Sequence, residues 1–168
     1  STRLPRAIRD VYKRQELAMS EQNMRGRIHT HSISLRWNDF DRYGHVTNSA
    51  YIEIAQQARL AFAQEFFESQ GYEFVVFVRR IEADYVRPVL PNTQAVTVDT
   101  QVIHLGNTSF TTRQEIKDAQ GSVCCVIDCV QVTVDKRTAS PRAITSQELG
   151  ILARAYTTLD GDDELGQA

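Results

Sequence analysis

The spacing of hydrophobic positions changes near residue 71, and this change separates a long helix from a series of strands. Between residues 49 and 70, apolar side chains recur three and four positions apart, which predicts an amphipathic helix of about five turns. From residue 74 onward apolar and polar positions alternate, as they do on a strand with one buried face. A shorter alternating stretch, residues 29–36, predicts a strand before the helix.

Turn residues divide the alternating part of the chain into four long strands, and Gly106-Asn107 marks one of the hairpin turns. The predicted strands span residues 74–86, 95–105, 108–117 and 122–135. Strands joined by tight turns run antiparallel. Only the long helix can cover the apolar face of such a sheet. The sequence therefore predicts an α+β fold, with a five-stranded antiparallel sheet wrapped around one long central helix.

Capping residues mark where the helices begin and end. We expect Asn48 or Ser49 to cap the long helix and Gly71 to end it. Thr145 or Ser146 is expected to cap a final helix. The long helix also carries small residues on its apolar face, which allow another element to approach closely. These residues are Ala55, Ala58 and Ala61.

The composition is that of one ordinary domain, with 168 residues of which 42% are hydrophobic and 24% are charged. The longest apolar stretch, residues 74–78, is far shorter than the roughly 20 residues of a membrane-spanning helix, so we expect no membrane insertion. The formal charge of −2, from 19 basic and 21 acidic residues, argues against binding nucleic acid through a strong basic field.

The three cysteines and the two ends of the chain carry further predictions. Cys124, Cys125 and Cys129 are too close together for a disulfide framework and contain no Cys-X-X-Cys pair for zinc, which favours a reducing, cytoplasmic setting. The ends differ in charge from the middle of the chain. We expect a disordered or non-native leader, a folded domain and an acidic tail, at residues 1–24, 25–159 and 160–168 respectively.

The loop between the first strand and the helix concentrates residues that can do chemistry. Asp39, Asp41 and His45 lie within seven positions, directly ahead of the helix N-terminus. Backbone amides at a helix start lack intrahelical partners and carry positive potential, so the amides near residues 47–49 can bind a developing oxyanion. A nearby carboxylate can attack a carbonyl or deprotonate water, and Gly44 lets the chain turn tightly.

A purely structural interpretation explains the same loop residues. Asp39 and Asp41 can serve in Asx turns or as caps, and His45 can be a loop side chain whose partner is a backbone carbonyl. Spacing alone leaves both interpretations open.

The segment RWNDFDRYGHVTNSAYIEIAQQAR resembles the signature loop and helix start of hotdog-fold acyl-CoA thioesterases. The likeness is to the 4-hydroxybenzoyl-CoA thioesterase-like group, which includes the Tol-Pal-associated short-chain acyl-CoA thioesterases. It continues through residues 85–88 and 105–110 and covers roughly residues 28–149. The resemblance implies a hotdog fold, hydrolysis of acyl-CoA to free acid and CoA, and assembly as a homodimer or a dimer of dimers.

The resemblance also assigns roles to individual positions. Asp41 matches the catalytic carboxylate, which acts within this family as nucleophile or as general base, and Asp39 matches a loop-fixing acid. Asn48 matches the position whose N–H polarises the thioester carbonyl. Gly44 and His45 match the family's Gly-His pair. Tyr51 matches an aromatic residue that lines or supports the site. Thr47 stands at a position where many relatives have asparagine.

Coenzyme A carries phosphates, so an otherwise neutral domain needs local basic contacts. Arg87, Lys136 and Arg137 are the favoured candidates, because the resembled proteins hold the nucleotide near these segments at a subunit boundary. Other candidates are Arg79, Arg80 and Arg142. Any one of them can instead be a solvated surface base. The turn from Gly106 to Ser109 either contacts the pantetheine arm through its backbone or is simply a hairpin.

Other polar residues fit structural roles. His29 and His31 share a strand face, but no third metal ligand is evident. His104 is expected to be partly exposed or at an interface, Asp128 outward-facing or paired, and Arg59 part of an ion pair within the fold.

The chemistry of a thioesterase needs one carboxylate and oriented N–H donors, so we expect no metal and no cofactor beyond the CoA of the substrate. Two alternatives stay open. A hotdog hydratase or dehydratase is disfavoured because this loop lacks the proline-rich context of those enzymes. A non-catalytic acyl-CoA or acyl-carrier binding module is disfavoured by the intact Asp-X-Asp-X-X-Gly-His block.

Overall fold

A computed structural model describes Arg6 and residues 28–156. The predicted leader, apart from Arg6, and the predicted acidic tail lie outside the described residues, so both stay predictions. Within the described residues, no helix combines the length and the apolar character needed to cross a membrane.

The described residues form the predicted α+β fold, a five-stranded antiparallel sheet with one long helix. The elements are β1 (His29–Ser34), α1 (Asn48–Phe66), β2 (Val76–Tyr85), β3 (Ala95–Leu105), β4 (Ser109–Lys117), β5 (Val123–Thr133) and α2 (Ser146–Ala153). The strand order is β1-β3-β4-β5-β2, with every neighbouring pair antiparallel. Thus β1 and β2 are the two edge strands. The long crossover from β1 to β3 carries α1 and β2.

The alternation along the strands sets two different faces of the sheet. On β3, β4 and β5 one face is buried beneath α1, while the other is half-buried. That outer face is mostly polar on β3 and β4, whereas on β5 Asp128 lies among valines. The outer face carries ion pairs between neighbouring strands, with Arg113 donating to both carboxylate oxygens of Asp128 at 2.8 Å and Lys117 to Asp99 at 2.7 Å. Asp128 is therefore paired and points outward, as predicted.

The cysteines lie on or beside the buried face and are inert there. Cys124, Cys125 and Cys129 are free and buried. Burial raises the pKa of the Cys125 thiol to about 12, so it stays protonated and unreactive at neutral pH.

The cap of α1 differs from the prediction. Thr47, rather than Asn48 or Ser49, is the N-cap: its backbone is extended, and its Oγ1 accepts the N–H of Ala50 at 3.3 Å. The α-helix ends at Phe66, and residues 68–70 form a 3-10 turn. Gly71 then ends the helical conformation with a left-handed φ of 79°. At the second helix, Thr145 is the cap, as one of the two predicted choices.

The sheet has two ends that matter for function. At the loop end, β1 leaves for the loop of residues 35–47 and β2 finishes at Tyr85. At the turn end, β3 meets β4 near Gly106, β5 finishes and β2 begins. Helix α1 starts at the loop end, where the Tyr85 hydroxyl donates to the Asn48 carbonyl at 3.1 Å. It reaches the turn end, where Glu65 lies 2.6 Å from His29 Nε2.

Candidate active site

Asp39 fixes the shape of the loop. Its side chain is buried, and its carboxylate accepts the backbone N–H of Arg36 at 2.7 Å and the Arg36 guanidinium at 3.1 Å. Its carbonyl accepts the N–H of Thr47 at 2.8 Å. Asp39 therefore ties the start of the loop to the N-cap of α1.

Asp41 lies in a tight turn that presents its carboxylate. One oxygen, Oδ1, accepts the N–H groups of Tyr43 at 2.8 Å and of His45 at 3.1 Å. The backbone closes the turn, because the Asp41 N–H donates to the His45 carbonyl and the Gly44 N–H to the Asp41 carbonyl. The other oxygen has no partner within the described residues, and the side chain is exposed. One carboxylate oxygen of Asp41 therefore has the structural role of an Asx turn. The other oxygen is exposed and unbonded within the described residues.

Within the described part of the chain the same turn occurs once more, in the hairpin between β4 and β5. Asp118 Oδ1 accepts the N–H groups of Gln120 and Ser122, and Gly121 occupies the position of Gly44, with φ angles of 81° and 79°. The turn by itself is therefore a structural device. What sets Asp41 apart is that its turn leads straight into the N-terminus of a long helix.

The start of α1 supplies unpaired donors beside this turn. Neither the Asn48 N–H nor the Ser49 N–H donates a hydrogen bond to another described residue, because Thr47 takes only the N–H of Ala50. Asp41 lies two positions beyond the Asp39–Thr47 hydrogen bond, which corresponds to about 7 Å of extended chain. A carboxylate oxygen and a positive helix terminus therefore flank one small region of the surface.

His45 contributes through its backbone. Its N–H helps to hold Asp41, while its side chain is exposed and has no hydrogen bond to the described residues. The expected partner for the imidazole, a backbone carbonyl, is not found among them.

Gly44 is required for two reasons. Its φ of 79° is left-handed, and a Cβ built on it would lie 2.9 Å from Cγ of Pro91. Pro91 belongs to the segment that follows β2, so this contact seats the turn of Asp41 against that segment.

We expect Gly44→Ala to destabilise the protein more than the matched variant Gly121→Ala. Both variants place alanine at a left-handed φ, which costs about 1–2 kcal/mol. At Gly121 nothing lies within 4 Å of the new Cβ, whereas at Gly44 it meets Pro91. Overpacking of this kind adds about 1–3 kcal/mol. Denaturant unfolding measures both variants, and equal losses of unfolding free energy would show that the contact with Pro91 does not restrain the turn.

Tyr51 supports the site from beneath. It is buried, its hydroxyl oxygen accepts the N–H of Val89 at 3.1 Å, and its ring packs edge-on against Tyr85 with centroids 5.5 Å apart. Burial raises the pKa of Tyr51, so the hydroxyl stays neutral. The hydroxyl of Tyr85 contacts the first turn of α1. Tyr85 entered the sequence analysis only as part of the family resemblance at residues 85–88, without a role of its own.

The basic candidates fall at opposite ends of the sheet. Arg87 lies at the loop end, where its N–H donates to the Cys124 carbonyl and its segment runs on to Tyr51 and Gly44. Lys136 and Arg137 lie at the turn end, just beyond β5, where Lys136 pairs with Glu73. Within one chain these residues do not converge on Asp41.

The turn from Gly106 to Ser109 also lies at the turn end and makes structural contacts. The Gly106 N–H donates to the Ser109 carbonyl at 2.8 Å, and the Asn107 carbonyl accepts the N–H of Ile144 at 2.8 Å. The next residue, Thr108, accepts from Thr133 through its carbonyl. These hydrogen bonds show that residues 106–109 form a structural hairpin turn. Contact between this turn and the pantetheine arm stays a prediction.

One prediction about an arginine requires correction. Arg59 forms no ion pair with a carboxylate among the described residues; its guanidinium donates to the side-chain oxygen of Gln114 at 2.9 Å. Arg142 donates two hydrogen bonds of 2.7 Å to Glu148, and its role toward phosphate stays a prediction. Sequence spacing did not reveal either partner, since Gln114 is 55 positions away and Glu148 lies across a loop.

The family of the chain follows from a match that covers most of this architecture. Residues 35–150, from the end of β1 into α2, match the family described as the Thioesterase-like superfamily. The chain belongs to this superfamily. A search of the curated proteins finds no match.

Solved structures similar to this member of the Thioesterase-like superfamily include proteins from several bacteria. The PA5185 protein from Pseudomonas aeruginosa is 30% identical, with 80% of this chain and 95% of that chain covered and a TM-score of 0.67. A predicted thioesterase from Bacillus stearothermophilus is 25% identical, covering 79% and 99%, with a TM-score of 0.70. A Thermus thermophilus thioesterase complexed with coenzyme A and Zn is 24% identical, covering 76% and 98%, with a TM-score of 0.63, and shares the fold.

A polar cleft of about 280 Å³ opens at the start of α1, between the Arg36 and Asp39 side of the loop and the helix residues Ser49 and Glu53. Asp41 does not line this cleft. Among the described residues no group of three or more His, Cys, Asp or Glu side chains is placed to hold a metal, the pair His29 and His31 included.

Proposed function

We propose that the chain hydrolyses acyl-CoA thioesters, with Asp41 as nucleophile or general base and the first amides of α1 as oxyanion donors. One observation carries this proposal. The free carboxylate oxygen of Asp41 and the unpaired N–H groups of Asn48 and Ser49 belong to one hydrogen-bonded loop and helix start. Membership of the Thioesterase-like superfamily supports the same chemistry.

The reaction needs no group beyond these residues and water. Asp41 attacks the thioester carbonyl or removes a proton from the attacking water, and the carbonyl oxygen gains charge that the helix N–H groups stabilise. The attacking oxygen, from water or from Asp41, forms a bond to the acyl carbon, and the C–S bond breaks. The thiolate of CoA leaves and takes up the proton that water gives up. If Asp41 attacks first, water then cleaves the resulting anhydride.

The acyl-CoA substrate fits a homodimer better than a monomer. The free edge of β2 carries exposed apolar side chains, with Phe77 52% exposed. A second copy pairing there about a two-fold axis runs antiparallel to β2. The turn end of one protomer then lies beside the loop end of the other, which brings the partner's Lys136 and the partner's Arg137 toward Asp41.

The proposed CoA site therefore combines two protomers. Arg87 of one protomer approaches the phosphates from the loop end, while Lys136, Arg137 and the turn from Gly106 to Ser109 approach from the partner. The Thermus thermophilus relative was solved with coenzyme A, which makes CoA the natural probe. A dimer of dimers, a cytoplasmic setting and a place in the Tol-Pal-associated group belong to the same proposal.

Release of free thiol from a panel of acyl-CoA thioesters tests the function. We expect hydrolysis of at least one member, followed with a thiol reagent, and no water addition to an enoyl-CoA. Binding of acyl-CoA without thiol release would identify a binding module instead. Hydration of the enoyl-CoA would identify a hydratase.

A further inference from the structure

Tyr85 makes a hydrogen bond that neither partner needs in order to be satisfied. Its hydroxyl donates to the Asn48 carbonyl at 3.1 Å. Asn48 is the first residue of α1, and an α-helix already bonds such a carbonyl to the N–H four positions further on. The Tyr85 side chain is 47% exposed, so water can satisfy its hydroxyl equally well. The contact therefore adds a second hydrogen bond to a carbonyl that has a partner within the helix.

The side chain of Tyr85 is nevertheless held in one direction. Tyr85 is the last residue of β2, and its backbone pairs with Cys125 on β5. Two positions later, the Arg87 N–H donates to the Cys124 carbonyl at 3.1 Å. The ring of Tyr85 packs edge-on against Tyr51, which is buried. Strand pairing and ring packing together thus direct the hydroxyl toward the helix start.

The carbonyl that Tyr85 contacts belongs to the same peptide group as the Ser49 N–H. A peptide group is one resonance unit, so electron density drawn toward its oxygen leaves its N–H more positive. Hydrogen bonds linked in this way strengthen one another by about 10–30% each. The Ser49 N–H donates to no other described residue and is one of the two proposed oxyanion donors. The hydrogen bond from Tyr85 to Asn48 therefore makes the Ser49 N–H a stronger donor toward a bound carbonyl.

The neighbouring oxyanion donor provides a comparison at the same helix start. The Asn48 N–H belongs to the peptide group of Thr47, whose carbonyl accepts the N–H of Ala50 at 3.0 Å. The hydroxyl of Tyr85 donates to the Asn48 carbonyl instead. Both donors therefore gain from the helix, whereas only the Ser49 N–H also gains from Tyr85.

We propose that Tyr85 is a positioning residue of the oxyanion site, which orients and polarises the peptide group between Asn48 and Ser49. This inference rests on the proposed thioesterase function and adds a residue to the same site. Negative charge develops on the thioester oxygen in the transition state, so a stronger donor raises kcat more than it changes KM. Tyr85 acts through the peptide group, without a bond to the reacting atoms.

Removal of the hydroxyl alone tests the role of Tyr85 in the reaction. Tyr85→Phe keeps the ring against Tyr51 and removes the donor to Asn48. Loss of a whole oxyanion donor lowers kcat about 10²–10³-fold, and a weakening of about 10–30% on this logarithmic scale is a loss of about two- to eightfold. We expect kcat on the best acyl-CoA of the panel to fall by this factor, while KM stays within about twofold. An unchanged kcat, or a loss confined to KM, would overturn the role.

Amide chemical shifts test the polarisation without any substrate. The ¹⁵N and ¹H signals of an amide respond to hydrogen bonding at the carbonyl of the same peptide group. In Tyr85→Phe we expect the Ser49 amide signals to move upfield and the Asn48 amide signals to move much less. Equal movement of the two amides, or none, would show that Tyr85 does not polarise the Ser49 N–H. If the unmodified protein releases no thiol from any acyl-CoA, the proposed function fails, whereas this measurement still decides the polarisation.

Two further variants separate the hydroxyl of Tyr85 from its ring. Tyr72→Phe removes a tyrosine hydroxyl beyond the end of α1, so we expect it to leave kcat and the Ser49 signals unchanged. Tyr85→Leu also removes the aromatic contact with Tyr51, so we expect it to lower the free energy of unfolding more than Tyr85→Phe does, with a similar change at Ser49. If Tyr85→Leu lowers kcat and Tyr85→Phe does not, ring packing alone supports the helix start and the proposal is wrong.

Discussion

Replacing Asp41 with asparagine is expected to lower kcat for thioester hydrolysis at least about 100-fold. Asparagine has the same shape, and its side-chain oxygen can still accept the N–H groups of Tyr43 and His45. The turn therefore survives while the negative charge is lost. Neither attack on the carbonyl nor removal of a proton from water is then efficient. Thiol release at saturating acyl-CoA measures kcat, and KM is expected to change much less.

The chain provides its own control for this variant. Asp118 accepts the matching backbone N–H groups in the same five-residue turn, but in the hairpin between β4 and β5, where its second carboxylate oxygen also contacts Cys124 Sγ at 3.8 Å. Asp118→Asn therefore repeats the chemical change in a turn that does not lead into α1. We expect Asp118→Asn to retain activity within about twofold. Similar losses in the two variants would mean that the turn matters only for folding, and full activity of Asp41→Asn would exclude its catalytic role.

The pair of identical turns also shows why the sequence predicted the loop so well. An aspartate followed three positions later by glycine specifies the turn locally, through side-chain acceptance of nearby N–H groups and a left-handed glycine. Both turns are visible in the sequence. Only one precedes a helical pattern, and that combination indicated the candidate site. Local interactions of this kind need no knowledge of the rest of the fold.

Contacts between distant segments were not accessible in the same way. The N-cap fell to Thr47 because Asp39 ties that residue to the loop, and spacing does not reveal this tie. The neutral partner of Arg59 lies on β4, which only the packing of α1 across the sheet brings near. Alternation along β3 to β5 predicted which residues are buried, yet it did not predict that β2 stays partly uncovered. Edge position, rather than pattern, decides that exposure.

The separation of the candidate residues into two groups is the least predictable result, and it has the most direct consequence. The sequence shows Asp41, Lys136 and Arg137 in one list, whereas the fold puts them at opposite ends of the sheet. A site built from all of them requires a second chain. In the proposed dimer, pairing at the free edge of β2 brings the two ends together.

A charge placed on that edge is therefore expected to abolish both the dimer and most of the activity. In Phe77→Glu the new carboxylate lies on the same face of β2 as Glu82 and Asp84. Arg80 shares this face, so the outer side of β2 already carries charges of both signs. Replacing the apolar ring with a further charge removes contact area and opposes pairing between sheet edges. We expect a monomer by sedimentation. Loss of two charge-assisted contacts of about 1.5–3 kcal/mol each is expected to lower kcat/KM at least about 100-fold.

Leu60→Glu is the matched control for the edge variant. Leu60 is also a large apolar side chain with a similar exposure, 57% against 52% for Phe77, but it lies on α1 rather than on the β2 edge. We expect this variant to remain a dimer with nearly full activity. If Phe77→Glu is monomeric and fully active, one chain contains the whole site, and the proposed contribution of the partner's Lys136 and the partner's Arg137 is wrong. If it stays dimeric, the interface lies elsewhere. A monomer that keeps its melting temperature but loses CoA binding would tie the activity to the pairing of β2, because only the partner's basic groups have been removed.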